Sequence, residues 1–408
     1  MDIYILVGTN PLPCYLSALY LLDYYEGQDN TVYLVCSEGS IGKGQGDTFS
    51  IAKRIKDLLQ EERQDAVVKI NKIADISSYT AIESFVEDQV LAQSRGQGVH
   101  LNFTGGTKTM STLIYYHMQK KLGDKLSSSY LDSRIHHMMV YPVVPEYEDL
   151  RQRYKISIDG LARLHDITDL RKQEESDFDE AAETMNSLFD EYLTGAELPF
   201  FDKGFRKTDL GKYLSPEGGS KISPEEAAEC AEALGICEVI GKIPEKYQDV
   251  MKKRLEDVSK KGKKPREKAF KFFDGIWFEH YVVDKLREAV RSDDNIDIYF
   301  DVSRGGDKFQ LDIVIIYGYQ LSVVSITTSS QKGIVKQKAF EAIHRARQMG
   351  GDETKMVVMS FLKDAQREAL KEELELDTGG TFSKYRIFGR KDLGNRDLYS
   401  NILDFIKK

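Results

Sequence analysis

Two stretches of this chain carry residue types at spacings that suit phosphate chemistry. The first is 102–110, Asn-Phe-Thr-Gly-Gly-Thr-Lys-Thr-Met, which sets a glycine pair and a lysine between an apolar run and a segment of helical periodicity. Backbone N–H groups at the opening of a helix face an anion, and glycine lets a ligand come close to the backbone, so Gly105, Gly106 and Lys108 form a candidate phosphate cradle. A Walker A loop needs four residues between its first glycine and the Gly-Lys pair, which excludes that loop here. The plain alternative is a strand-to-helix turn with an exposed lysine. The second stretch centres on Asp312, flanked by Leu311, Ile313, Val314, Ile315 and Ile316. A carboxylate in an apolar strand is costly to bury without a cation or a partner, and carboxylates are the ligands of the hard divalent cations that assist phosphodiester hydrolysis. An outward strand position would leave Asp312 merely solvated. Glu279 stands at the edge of the apolar stripe Phe273, Ile276, Trp277, Tyr281, Val282, Leu286 and Val290, either as a ligand or as a solvated glutamate.

The elements that must position these residues follow from periodicity. Residues 1–145 alternate strand and helix, with strands at 3–7, 32–36, 67–70 and 98–103 and helices from about 13, over 50–59, 81–92 and from 111 onward. That order argues for a parallel sheet covered by helices on both faces, with ligands beyond the carboxyl ends of the strands. Three loops rich in glycine and small polar residues fall there: 8–11, 37–46 and 104–108. Toward the other end come a helix over 270–290, strands over 296–302, 309–317 and 321–326 with turns at 304–307 and 318–319, and a helix over 333–349. This last helix carries Lys336, Lys338, Glu341, His344, Arg345 and Arg347, of which Lys338, Glu341 and Arg345 are spaced to share one face.

Composition bounds the rest. The 408 residues suffice for two or three domains, and a net charge of −9 means that any nucleic acid must be held by a local basic groove. The four cysteines lack metal-ligand spacing and fit reduced thiols; the first residues lack a basic leader and 3–7 is too short to span a bilayer, so the expectation is a cytoplasmic protein without a membrane. The segment 146–265 reads as mostly helical, either a linker or a small middle domain. Ser223-Pro224-Glu225-Glu226 is a helix opening, and the basic run 260–266 reads as a linker, with phosphate contacts near a nucleic-acid cleft as the sharper option.

The words VGTNPLP, FTGGTKTM and YLDSR resemble the CARF domain, the Rossmann-like sensor of CRISPR-associated proteins, over about the first 145 residues. The resemblance implies a homodimer with one cyclic oligoadenylate, tetra- or hexa-adenylate, across its two-fold axis. Lys108 and the loop Thr104, Gly105, Gly106 and Thr107 would hold phosphates, and Thr9, Asn10 and Ser37 would line the ring. The words GIWFEHYVVDKL and QLDIVII resemble the PD-(D/E)XK nuclease core that is fused to CARF domains in type III CRISPR effectors, and place 266–408 in that restriction-endonuclease-like fold. The implied fold class is thus α/β: a CARF domain, a helical middle segment and a nuclease domain, with Mg²⁺ or Mn²⁺ as cofactor, cyclic tetra-adenylate as the expected activator and DNA or RNA as substrate.

One departure stands out. That family carries Glu-x-Lys in the strand after the hairpin, and here the aligned residues are Ser325-Ile326-Thr327. Either the site is dead or its parts have moved. The expectation is a migrated site in which Asp312 and Glu341 bind metal, with Glu279 nearby and Lys338 or Lys336 as the lysine. Two function classes follow: a ring-activated, metal-dependent nuclease of low sequence specificity, or a non-catalytic sensor whose degenerate nuclease domain binds nucleic acid or a partner protein. A third, cleavage of the ring through Thr107 or Lys108, lacks a general base in the loop and ranks last.

Overall fold

Apolar runs bounded by glycine and small polar residues become strands, and the amphipathic stretches between them become helices. The computed structural model describes the chain except residues 39–47, 95–97, 144, 174–175, 219–220, 292, 306–308, 352 and 378–381. The glycine-rich run 39–46 and residues 306–307 of the turn expected at 304–307 lie outside the described residues. Two compact units result: 1–170 with the short segments 318–320 and 347–353, and 171–317 with 321–346 and 354–408.

The first unit opens with β1 (Asp2–Leu6), α1 (Pro11–Tyr24), β2 (Thr31–Ser37), α2 (Thr48–Glu62) and β3 (Val67–Ile73). It continues with α3 (Tyr79–Phe85), β4 (Val99–Asn102), α4 (Lys108–Leu122), β5 (Leu126–Asp132) and β6 (His137–Tyr141), then the short α5 (Leu150–Arg153) and α6 (Ile158–Leu164). The sheet order is β3-β2-β1-β4-β5-β6, with β3 through β5 parallel and β6 antiparallel to β5. The alternation read from the sequence is therefore present, and β6 adds a hairpin edge that the periodicity did not announce. Tyr4, Leu6, Tyr33, Val35, Leu101, Met110 and Ile114 form part of one buried core between this sheet and its helices.

The second unit has a sheet of order β12-β11-β10-β9-β8-β7, made by β7 (Leu170–Gln173), β8 (Ile296–Arg304), β9 (Phe309–Tyr317), β10 (Gln320–Thr327), β11 (Lys355–Ser360) and β12 (Tyr385–Phe388). Strands β8 and β9 pair antiparallel, while β10, β11 and β12 run parallel. Its helices are α7 (Asp179–Leu193), α8 (Pro199–Lys203), α9 (Asp209–Leu214), α10 (Pro224–Ala233), α11 (Cys237–Lys242), α12 (Glu245–Met251), α13 (Lys260–Lys271), α14 (Trp277–Val290), α15 (Lys332–Gly350), α16 (Asp364–Asp377) and α17 (Leu398–Lys407). The helices before the sheet share its core: Phe189 of α7 lies 5.1 Å from the Trp277 ring and 6.0 Å from Phe361, all buried. Such shared burial joins the helices before the sheet to the sheet in one unit.

Local chemistry explains the boundaries. The helix opening expected at Ser223 is that of α10, where Ser223 and Glu226 form a capping box. The basic run read as a linker is instead the first half of α13. Ser259 caps it, and the buried Arg266 guanidinium donates to the carbonyls of Tyr213, Val250 and Lys253, which ties the helix down. Between α13 and α14 the chain makes a π turn, Phe272–Ile276, which shifts the phase of the following helix. No helix among the described residues is long and apolar enough to cross a membrane.

Candidate functional sites

In the first unit, β1 pairs with β2 on one side and β4 on the other, Ile5 lying opposite Asn102. The sheet thus reverses direction of build at β1, and the crevice beyond β1 and β4 is where such sheets take ligands. The loops 8–10 and 104–107 meet there: a Cβ on Gly8 would stand 3.1 Å from the Gly106 nitrogen. A Cβ on Gly105 would fall 2.3 Å from the Leu6 carbonyl oxygen, 2.7 Å from the Gly8 nitrogen and 2.8 Å from the Cys14 sulfur. Gly105 is therefore required as glycine by the packing of its own chain, a reason independent of any ligand. Gly106 has φ of 81°, a conformation that favours glycine, and delivers the chain to Thr107, whose Oγ1 accepts from the Met110 N–H and caps α4.

The other candidate polar residues are largely engaged by the chain. Asn10 caps α1 through the Leu12 N–H; Ser37 shares a 2.6 Å hydrogen bond with Thr48; Thr104 accepts from the Leu131 N–H at 2.8 Å. Thr9, Thr107 and Lys108 are exposed. Beneath the loop runs a buried network that sequence reading missed. Asn102 accepts from the Thr104 N–H at 3.2 Å and donates to Ser129 at 2.8 Å; Ser129 meets His100 Nε2 at 2.7 Å, and His100 Nδ1 meets the Tyr25 hydroxyl at 2.9 Å. Burial pushes His100 down to about 3, so it is a neutral link that anchors the loop to the sheet. The polar pair His100 and Asn102 inside an apolar strand was the available signal.

In the second unit two side chains bind the backbone of one residue, Ile326, and a third is coupled to them electrostatically. Asp312 of β9 accepts from the Ile326 N–H at 2.7 Å through Oδ2, and Lys338 of α15 donates to the Ile326 carbonyl at 3.2 Å. Ile326 is the residue between Ser325 and Thr327, the two that stand where the resemblance leads one to expect an acid and a lysine. Glu279, in the first turn of α14 just after the π turn, is the third contributor. Burial pushes its carboxyl well above the usual range, and the Asp312 carboxylate raises it further, while Lys338 opposes the shift. Asp312 is likewise raised by burial, with Lys338 and the Ile326 N–H acting against the rise.

Asp301 is a fourth member that the sequence did not reveal. Phe300 pairs with Ile313 and Val302 with Leu311, so Asp301 stands across the hairpin from Asp312, where the pairing lapses and Asp301 takes φ of 44°. This left-handed backbone costs about 1–3 kcal/mol for a residue other than glycine. Its Oδ1 accepts from Gln310 Nε2 at 2.9 Å, and its charge raises both Glu279 and Asp312. A cavity of about 580 Å³ is lined by Glu279, Asp301, Lys338, Thr327 and Thr328 among others. A smaller one of about 210 Å³ is lined by Asp312, Ser325, Lys338, Glu341 and Arg345. Lys338 lines both.

The structure separates the remaining candidates. Glu341 is exposed on the rim of the smaller cavity and ion-paired with Arg345, which also donates to the Gln310 carbonyl at 2.7 Å. Lys336 is taken up by Glu373 and Asp377 of α16 at 2.9 and 3.0 Å and lines neither cavity. Among the described residues no three Asp, Glu, His or Cys side chains are grouped to hold a metal ion outright. Mg²⁺ needs less, since it keeps several waters and binds through one or two carboxylates plus substrate phosphate. Glu279 and Asp312, both held toward neutrality by burial, fit that requirement because a cation would offset the cost of their charges.

No family model and no curated protein matches the sequence. The fold has solved likenesses. Protein VC1899 from Vibrio cholerae aligns over 100% of this chain and 98% of its own, at 14% identity and a TM-score of 0.61. Can2 from Sulfobacillus thermosulfidooxidans, solved in complex with cyclic tetra-adenylate, aligns over 100% of this chain and 99% of its own, at 13% identity and a TM-score of 0.63. The chain therefore shares its mixed α/β fold, along its whole length, with both proteins.

Proposed function

We propose that this protein is a metal-dependent nuclease of low sequence specificity, switched on by a cyclic oligoadenylate and acting on DNA or RNA as a cytoplasmic homodimer in type III CRISPR defence. The observation that carries the reading is the grouping of Asp312 and Lys338, both bonded to the backbone of Ile326, with Glu279, whose carboxyl feels the charges of both. Cyclic tetra-adenylate is the favoured activator, supported by the full-length fold likeness to Can2 and by the exposed Lys108 at the mouth of the β1–β4 crevice.

A bound Mg²⁺ or Mn²⁺ would supply a Lewis acid and an activated water. The chain's own residues do the rest. Glu279 and Asp312 hold the cation, and Lys338 offers its ammonium to the phosphate where the family's strand lysine would stand. The Asp312 and Lys338 bonds to Ile326 fix both side chains against the same strand, which keeps them within reach of one phosphate. Asp301 and Gln310 brace the hairpin opposite Asp312.

A second reading is a ring-binding sensor without catalysis, favoured by Ser325 and Thr327, which supply neither an acid nor an amine. Incubation with supercoiled plasmid and labelled single strands, with Mn²⁺ or Mg²⁺ and with or without cyclic tetra- or hexa-adenylate, separates the two. Cleavage that requires both metal and ring supports the nuclease; ring binding without cleavage under any combination supports the sensor.

A further inference from the structure

The larger cavity of the second unit has a wall that the acidic cluster does not supply. Phe201, Lys203, Gly204, Arg206 and Lys207, from α8 and the turn after it, line it together with Glu279, Asp301 and Lys338. Arg206 is bound to Asp274 through three contacts of 2.7, 3.0 and 2.6 Å, a bidentate pair that pins this turn to the π turn preceding α14. The two lysines flanking it are different. Lys203 and Lys207 are exposed on the cavity rim and have no ion pair among the described residues, whereas Lys271 is paired with Glu267 and Arg390 with Asp202. An overall charge of −9 makes unpaired lysines on a cavity wall more telling, because the chain as a whole repels polyanions. The cavity, at about 580 Å³, lies in the range of pockets for small ligands, roughly 300–1,000 Å³. It admits a nucleotide or two of one strand. A duplex, with a major groove alone about 12 Å wide, does not fit inside it.

We propose that Lys203 and Lys207, held in place by the Arg206–Asp274 pair, grip the phosphate backbone of a single-stranded nucleic acid and lead it past Glu279 and Lys338. This rests on the nuclease reading of the same cavity, and makes the helical segment before the sheet a working part of the site.

The test is binding of a fluorescein-labelled single-stranded oligonucleotide, measured by anisotropy in EDTA with cyclic tetra-adenylate present, across a salt series, with metal-dependent cleavage measured separately. Lys203→Ala/Lys207→Ala should bind roughly tenfold more weakly, and its log–log salt slope should shrink by about 0.7 per lysine. Lys203→Arg/Lys207→Arg should keep wild-type affinity, and all three proteins should melt together, since both positions are exposed. Unchanged affinity and slope in the double alanine variant, with the wild type still binding, would overturn the inference and leave the nuclease reading standing on its cleavage data. Duplex binding as tight as single-strand binding would overturn the single-strand assignment. A wild type that neither binds nor cleaves any nucleic acid would remove both.

Discussion

The loop of the first unit and the acidic cluster of the second solve opposite problems. Around 104–108 nearly every polar group is already satisfied by the chain: Thr104, Thr107, Asn10 and Ser37 all hold hydrogen bonds, and a neutral His100 network stiffens the base. What remains for a ligand is a set of exposed groups on a rigid frame. Around Ile326 the reverse holds, with Glu279 and Asp312 half-buried, Asp312 raising the cost of the Glu279 charge, and Lys338 the cation that opposes both shifts among the described residues. A rigid, satisfied frame suits recognition of a ligand that arrives with its own charges. Frustrated charges suit a site completed by a cation and a phosphate.

The largest effect that sharpens this contrast lies in the cluster. Asp312→Asn or Lys338→Ala should lower metal-dependent cleavage by about a hundredfold or more, with ring binding retained, because losing a group that acts on the reacting phosphate costs roughly 2.7–4 kcal/mol. Lys336→Ala, two residues away, should leave the rate unchanged. Equal losses for Lys336 and Lys338 in a cleavage assay would break the assignment of α15.

In the loop the comparable blow is steric. Gly105→Ala places a Cβ against the Leu6 carbonyl and should destabilise the first unit by about 1–3 kcal/mol, read as a lower midpoint in urea, and should weaken ring binding with it. A neutral effect on both would mean that the loop is not pinned as described. Lys108→Ala should be milder for the fold and specific for the ligand: ring affinity falls about ten- to a hundredfold, the value of a charged hydrogen bond of about 1.5–3 kcal/mol, while the melting temperature holds. Calorimetry with cyclic tetra-adenylate decides it.

How far the sequence carried this picture differs between the two regions for the same physical reason. The loop is contiguous, so Thr104 to Lys108 was legible as a string, as were the strands flanking Asp312. The cluster is assembled from α14, β8, β9 and α15, and periodicity alone does not say which helix face meets the sheet. Lys336 and Lys338 lie about 200° apart on a helix, so only one faces β10, and the structure selects Lys338. Asp301 was hidden because its left-handed backbone leaves no mark in composition, and the π turn that sets the phase of Glu279 leaves none either. Lys203 and Lys207 belong to no motif and gain meaning only from the cavity they line.

The smallest effect concerns pH. Carboxyls raised in the native state bind protons that the unfolded chain releases, so Glu279 and Asp312 stabilise fully below their ordinary values and lose that contribution as pH rises toward their native ones. His100 and His165 in the first unit, pushed down to about 3 and about 4 by burial, have the opposite sign: their contribution is present above pH 6.5 and is lost as pH falls. Glu279→Gln should therefore raise the melting temperature at pH 8 relative to wild type and do so less at pH 4.5. An equal shift at both values would contradict the buried, charged glutamate.

The most direct test of the central claim, that Glu279 and Asp312 form one cation site despite Ser325 and Thr327, is calorimetric titration of Mn²⁺ into the protein without nucleic acid. The expected result is binding to the wild type that Glu279→Gln and Asp312→Asn each abolish and Glu341→Ala leaves intact. Binding that survives both substitutions, or that depends on Glu341 instead, would contradict it.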